Sequence, residues 1–133
     1  MKTINIKGTI VNNNVAKFYE WMEIEATSPK SIHDNLPNTG EEVEVIISSG
    51  GGDVFAGSEI FTALKEYSGH VTVKIVGIAA SAASVIAMAG DKILISPTAQ
   101  MMIHNVSTQA SGDFRDLQQV SDSLKSANQS IIN

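Results

Sequence analysis

Two side chains, Ser81 and His104, have the type and setting that nucleophilic catalysis requires, and the triplet Gly50-Gly51-Gly52 can present backbone amides to a reacting group. A serine hydroxyl attacks a carbonyl only when a base takes its proton, and imidazole is the side chain whose ordinary pKa suits that task near neutrality. Ser81 stands in Gly77-Ile78-Ala79-Ala80-Ser81-Ala82-Ala83-Ser84. Small neighbours leave room for an approaching carbonyl, and the N–H just after the nucleophile, at a helix start, can stabilise an oxyanion. Taken alone, the run fits close helix packing better than a nucleophile turn, and Ser84 competes for the nucleophile's place. His104 ends the apolar run Met101-Met102-Ile103, so a strand would deliver it from the core to an edge, although a lone His in that setting also fits a structural role.

Other chemistries have less support. His33 lies in a polar, helix-like segment and His70 in the Ser68-Gly69-His70 turn, and both read as surface residues. The 3 His have no clustered carboxylates around them, so no metal-ligand spacing is present and a zinc hydrolase is disfavoured. Cysteine is absent, which removes disulfides and a thiolate nucleophile together. A phosphate loop would need Lys and Ser or Thr directly after the last glycine, and this chain has Asp53-Val54 there. Two readings of the triplet remain: backbone that clamps a substrate or an oxyanion, and a plain tight turn.

The elements that must position these residues can be read from pattern. Lys2 to Val11 alternates as a strand, with Ile4 and Ile6 on one face. Val15 to Met22 has helical spacing, with Val15, Phe18, Tyr19 and Met22 on one side, and a second short helix starts at Ser28-Pro29, where Ser can cap and Pro can occupy the first turn. Both helices are expected to lie against a sheet. Val43 to Ser48 is a β-branched strand, succeeded by a glycine loop and a helix over 54–67. Val71 to Ile78 is a buried strand, Ser81 to Ala89 the start of a helix, Lys92 to Ile95 and Met101 to His104 short strands. Asp113 onward reads as helical, with Phe114, Leu117, Val120 and Leu124 as its apolar stripe and Asp113 and Asp116 in its first turn. Strands alternating with helices define an α/β layered sheet with right-handed crossovers.

Composition bounds the rest. The chain has 133 residues, 43% hydrophobic and 17% charged, which fits one folded domain over 1–133. A net charge of −5 with scattered basic residues argues against a nucleic-acid partner. The N-terminus lacks a secretory pattern, and Ile75 to Gly90 falls short of the roughly 20 apolar residues that span a bilayer, so no membrane association and a cytoplasmic location are expected.

Taken in order, Ser49-Gly50-Gly51-Gly52-Asp53-Val54-Phe55-Ala56-Gly57, Gly77-Ile78-Ala79-Ala80-Ser81 and Met102-Ile103-His104 resemble the motifs of the Clp peptidase family. The resemblance implies a Clp peptidase/crotonase-like layered fold of ββα repeats. It implies a serine endopeptidase in which Ser81 is the nucleophile, His104 the general base, Gly52 and Ala82 the oxyanion donors, and Gly51 a substrate-binding residue, with no metal or cofactor in the mechanism. Its partners would be a polypeptide substrate, further copies of itself in a ring, and a separate Clp-type ATPase, since no Walker loop is present. Ala79 to Ser84 and Ser96-Pro97-Thr98-Ala99 look like the head maturation branch of phages and prophages. Two departures are visible. Gly50 replaces the family's Pro, and the family's third catalytic residue, an acid, lies beyond the helix entered at Asp113. An incomplete triad, a missing C-terminal part of the family domain and weak activity are therefore expected, and the shortened helix makes ring stacking doubtful. A crotonase-like acyl-CoA enzyme and an inactive ring or scaffold subunit are the competing readings.

Overall fold

Alternating β-branched residues build the sheet that everything else rests on. In the computed structural model, which describes residues 1–102 and 115–116, β3 (Val43–Gly52) buries Val43, Val45, Ile47 and Ser49 on one face and leaves Glu44, Ile46 and Ser48 half-buried on the other. β1 (Lys2–Ile10) and β4 (Val71–Ala80) flank it in parallel and obey the same rule with Ile4 and Ile6, and with Val71, Val73 and Ile75. β2 (Ala26–Thr27) closes one edge beside β1. On the other side, β5 (Lys92–Ile95) pairs with the first half of β4, and β6 (Gln100–Met102) with its last residues, Ile78 to Ala80. The sheet order is β2-β1-β3-β4-β5-β7, where β7 is Arg115–Asp116, with β6 also on β4.

The helices form the second layer. α2 (Pro29–Asn35) begins as its sequence predicts, with Ser28 accepting from the Ser31 N–H, Ser31 returning the bond, and Pro29 at the first position. α3 (Val54–Glu66) is capped by Asp53, whose carboxylate accepts from the Ala56 N–H at 2.9 Å. α4 (Ala82–Ala87) is short and almost wholly buried. The core joins Ile32 of α2, Ala56, Ile60 and Leu64 of α3 and Ala82, Ala83 and Ile86 of α4 to the buried strand positions.

Three expectations change. α1 (Asn13–Trp21) forms where expected but buries none of its residues: Phe18 is 57% and Trp21 79% exposed, because the helix docks mainly beside the two-residue edge strand β2 and not on the core face. β3 does not stop before the glycines. It resumes pairing after a register shift, with Thr9 opposite Gly51 and Ile10 opposite Gly52, so the triplet is strand and not loop. Arg115–Asp116, expected inside a helix, form β7 antiparallel to β5, whose free edge offers the backbone groups that a further strand can pair with. Asp113, Phe114, Leu117, Val120 and Leu124 lie outside the described residues.

No described helix is long and apolar enough to cross a membrane. The two-layer architecture predicts that Ile75→Ala, at a fully buried position of β4, costs about 2–5 kcal/mol, whereas Ser58→Ala on the exposed side of α3 stays within about 0.5 kcal/mol. Urea unfolding midpoints measure both, and similar small shifts would contradict the burial of the β4 face.

Candidate active site

The sheet bends just before the site. Between Lys7 and Thr9 the β1–β3 register shifts, and between Ile47 and Ser49 the β3–β4 register shifts as well. Such irregularities bend strands and re-aim the residues past them. Glycine makes the second one possible, since a Cβ on Gly77 would collide with Ser48 Oγ. At the same level the chain after β5 steps outward through Ser96 to Ala99 and returns as β6, with the Ser96 N–H donating to the Ile75 carbonyl at 2.9 Å.

Beyond that bend, β4 runs directly into Ser81. The residue has φ +54° and ψ −124°, one of only two non-glycine residues with positive φ among the described residues. An L-residue holds that conformation at a cost of order 1–3 kcal/mol, which persists only where surrounding structure enforces it. The enforcement is visible. The Ser81 N–H donates to the Met102 carbonyl at 3.1 Å, and its own carbonyl accepts from the Ser84 N–H at 2.9 Å. Ser81, half-buried, therefore stands on a sharp strand-to-helix turn whose flanking sequence is not Gly-x-Ser-x-Gly.

The middle glycine of the triplet packs against this turn. Gly51 has φ +103°, and a Cβ there would stand 2.8 Å from the Ala80 carbonyl oxygen, 2.9 Å from Ser81 Cβ and 3.2 Å from the Ala82 nitrogen. Only a glycine lets β3 approach the turn so closely. Gly52, φ +148°, instead packs on the backbone of Ile10, and Gly50 has open space around it. Gly57 of α3 has the same role one layer away, because a Cβ there would lie 2.9 Å from the Ala82 side chain.

Sequence reasoning missed Ser49. Its buried Oγ donates to the Gly8 carbonyl at 2.6 Å and accepts from the Gly51 N–H at 3.1 Å, tying β1 to the glycine segment and committing the Gly51 amide. Its place directly before three glycines was the available signal. Ser84 is not a nucleophile: it is 1% exposed and its Oγ lies 2.5 Å from the Ser81 carbonyl oxygen, an acceptor to which the hydroxyl must give its proton. His33 and His70 are exposed as expected, with His70 Nδ1 3.7 Å from Glu42. His104 lies outside the described residues; the described strand that leads to it ends at Met102, whose carbonyl is hydrogen-bonded by the Ser81 N–H. Among the described residues no group of three or more His, Cys, Asp or Glu could hold a metal ion. A groove of about 680 Å³ lined by Asn12, His33, Asp53, Phe55, Glu59 and others shares no residue with the Ser81 turn.

With this geometry in place, comparison with known proteins is informative. The Clp protease family model matches residues 32–133, and the chain belongs to that family. ATP-dependent Clp protease proteolytic subunits are similar: that of Deinococcus radiodurans is 35% identical over 83 residues, covering 61% of this chain and 41% of the relative, and one from Bacteroides fragilis is 36% identical over 81 residues, covering 59% and 39%. The matched stretches thus span about two fifths of these relatives. Among solved structures, a point mutant of ClpP1 from Listeria monocytogenes superposes with a TM-score of 0.60 at 25% identity, over 79% of this chain and 57% of that one. ClpP1 from the same organism gives 0.57 at 25% identity, over 77% and 55%. The family match decides against the crotonase reading and agrees with the expected layered α/β fold.

The close approach at Gly51 sets a test. Gly51→Ala is expected to cost about 1–3 kcal/mol of stability, and Gly50→Ala, with nothing within 4 Å of its Cβ position, less than about 0.5 kcal/mol. Equal shifts of the unfolding midpoint in the two variants would mean that β3 does not press against the Ser81 turn.

Proposed function

We propose that this chain carries the Ser-His core of a serine endopeptidase. The observation that supports it best is Ser81 at positive φ on a strand-to-helix turn, with the Gly51 backbone and the Ala82 N–H beside its Cβ. In this reading His104 takes the Ser81 hydroxyl proton as Oγ bonds to the peptide carbonyl carbon. The developing oxyanion is met by the N–H groups of Ala82 and Gly52, the carbon–nitrogen bond breaks, and His104 returns the proton to the leaving amine. Water then releases the acyl group. Gly51, whose own amide is held by Ser49, shapes the floor on which an extended substrate lies. No step requires a metal or cofactor.

A fluorophosphonate probe is expected to label the protein at Ser81, located by mass spectrometry, with labelling lost in Ser81→Ala and unaffected by His70→Ala. Labelling at another residue, or none, would remove the enzyme reading and leave a scaffold of the same fold.

The partners belong to the same proposal. The curated relatives are named ATP-dependent, and Asp53-Val54 after the glycines is no phosphate loop, so ATP-driven unfolding falls to a separate ATPase subunit. Self-association is supported by the exposed apolar side chains of α1, with Phe18 and Trp21 ring centroids 6.2 Å apart. Sedimentation velocity should show an assembly larger than one chain, reduced by Trp21→Glu; a monomer at micromolar concentration would count against it. The motifs around Ser81 and Ser96 favour capsid or scaffold proteins of a phage head as the first substrates to test.

A further inference from the structure

Ser84 has a hydroxyl where the packing needs none. Every other residue of α4 is apolar, Ala82, Ala83, Val85, Ile86 and Ala87, and Ser84 is 1% exposed among them. Burying a hydroxyl costs free energy unless it is bonded, so its partner matters. That partner is the Ser81 carbonyl, 2.5 Å from Ser84 Oγ. The same oxygen already receives the Ser84 N–H at 2.9 Å and the Val85 N–H at 3.4 Å, so three donors converge on one acceptor.

The consequence lies on the other side of the peptide bond. The Ser81–Ala82 peptide is planar and trans, so its carbonyl and its N–H point in opposite directions. Clamping the Ser81 oxygen therefore fixes the direction of the Ala82 N–H, whose nitrogen stands 3.2 Å from where a Cβ on Gly51 would lie. Without the clamp, rotation about ψ of Ser81 and φ of Ala82 would relieve the strained backbone and swing that N–H away. Donors on the carbonyl also polarise the amide and strengthen its N–H as a donor.

We propose that Ser84 is a positioning residue for the oxyanion: its hydroxyl holds and polarises the Ser81–Ala82 peptide so that the Ala82 N–H is aimed before the substrate arrives. This rests on the serine endopeptidase reading. The interaction acts on the tetrahedral state and not on the bound substrate. Ser84→Ala should therefore slow fluorophosphonate labelling and weaken a peptide boronate by about tenfold each, while affinity for a product peptide stays within about twofold. Ser84→Thr, which keeps the hydroxyl, should recover most of the labelling rate. If Ser84→Ala does not fold, Ser84→Cys, with a weak thiol donor in nearly the same volume, carries the same comparison. Equal losses of boronate and product-peptide affinity, or an unchanged labelling rate, would overturn the role of Ser84 alone. A wild-type protein that neither labels at Ser81 nor binds the boronate would overturn the endopeptidase reading and this inference with it.

Discussion

The structure turns on the contact between the glycine-bearing end of β3 and the turn at Ser81. With a Cβ on Gly51 only 2.8 Å from the Ala80 oxygen, neither segment can move toward the other, and any side chain at Gly51 would push them apart. That contact fixes where β3 ends relative to β4, and so where α3 and α4 begin. Gly57 extends it into the helical layer by letting α3 approach Ala82. One line of close approaches thus runs from β3 through the turn to α3, and Ser81 sits in the middle of it.

The bends in the sheet explain how a parallel sheet reaches this arrangement. Up to Ile47 the three central strands keep a regular register, with Ile4 opposite Val45 and Val45 opposite Val73. Past that level β4 advances from Ile75 to Ala79 while β3 advances only from Ile47 to Ser49. The extra length in β4 carries Ala80 and Ser81 beyond the regular sheet, where β6 replaces β5 as their neighbour. The apolar core lies mainly on the regular part, and the polar and small residues gather past the bend.

Much of this was legible in the sequence because it depends on local rules. The β-branched run Val43 to Ile47 reads as a strand, Ser28-Pro29 offers a cap and a first-turn proline to a helix, and a serine among small residues after a buried strand is compatible with the turn at Ser81. What could not be read depends on partners distant in the chain. The apolar spacing of Val15, Phe18 and Met22 identifies a face but not what covers it, and none of the residues of α1 is buried. The triplet looked like a loop because glycine disfavours strands, yet pairing with Thr9 and Ile10 keeps it in the sheet. Asp116 looked like a helix-start charge, and it is the open edge of β5 that takes it into a strand instead. Ser84 had the right residue type for a nucleophile, and only its contact with the Ser81 carbonyl assigns its proton elsewhere.

The two buried hydroxyls beside the turn obey a common logic. Ser49 bridges the Gly8 carbonyl, at the register shift between Lys7 and Thr9, and the Gly51 N–H. Ser84 adds a donor to the carbonyl of a residue whose backbone has left the favoured regions. In both places an apolar side chain of similar size would leave a buried polar group less well satisfied, at a cost of about 1–3 kcal/mol where no donor or acceptor replaces it. The turn at Ser81 is irregular backbone, and irregular backbone creates polar groups that a ladder or a helix cannot fully serve. Short hydroxyl side chains serve them without enlarging the core. The serines around Ser81 are therefore the means by which a packed α/β core tolerates the strained conformation at its edge.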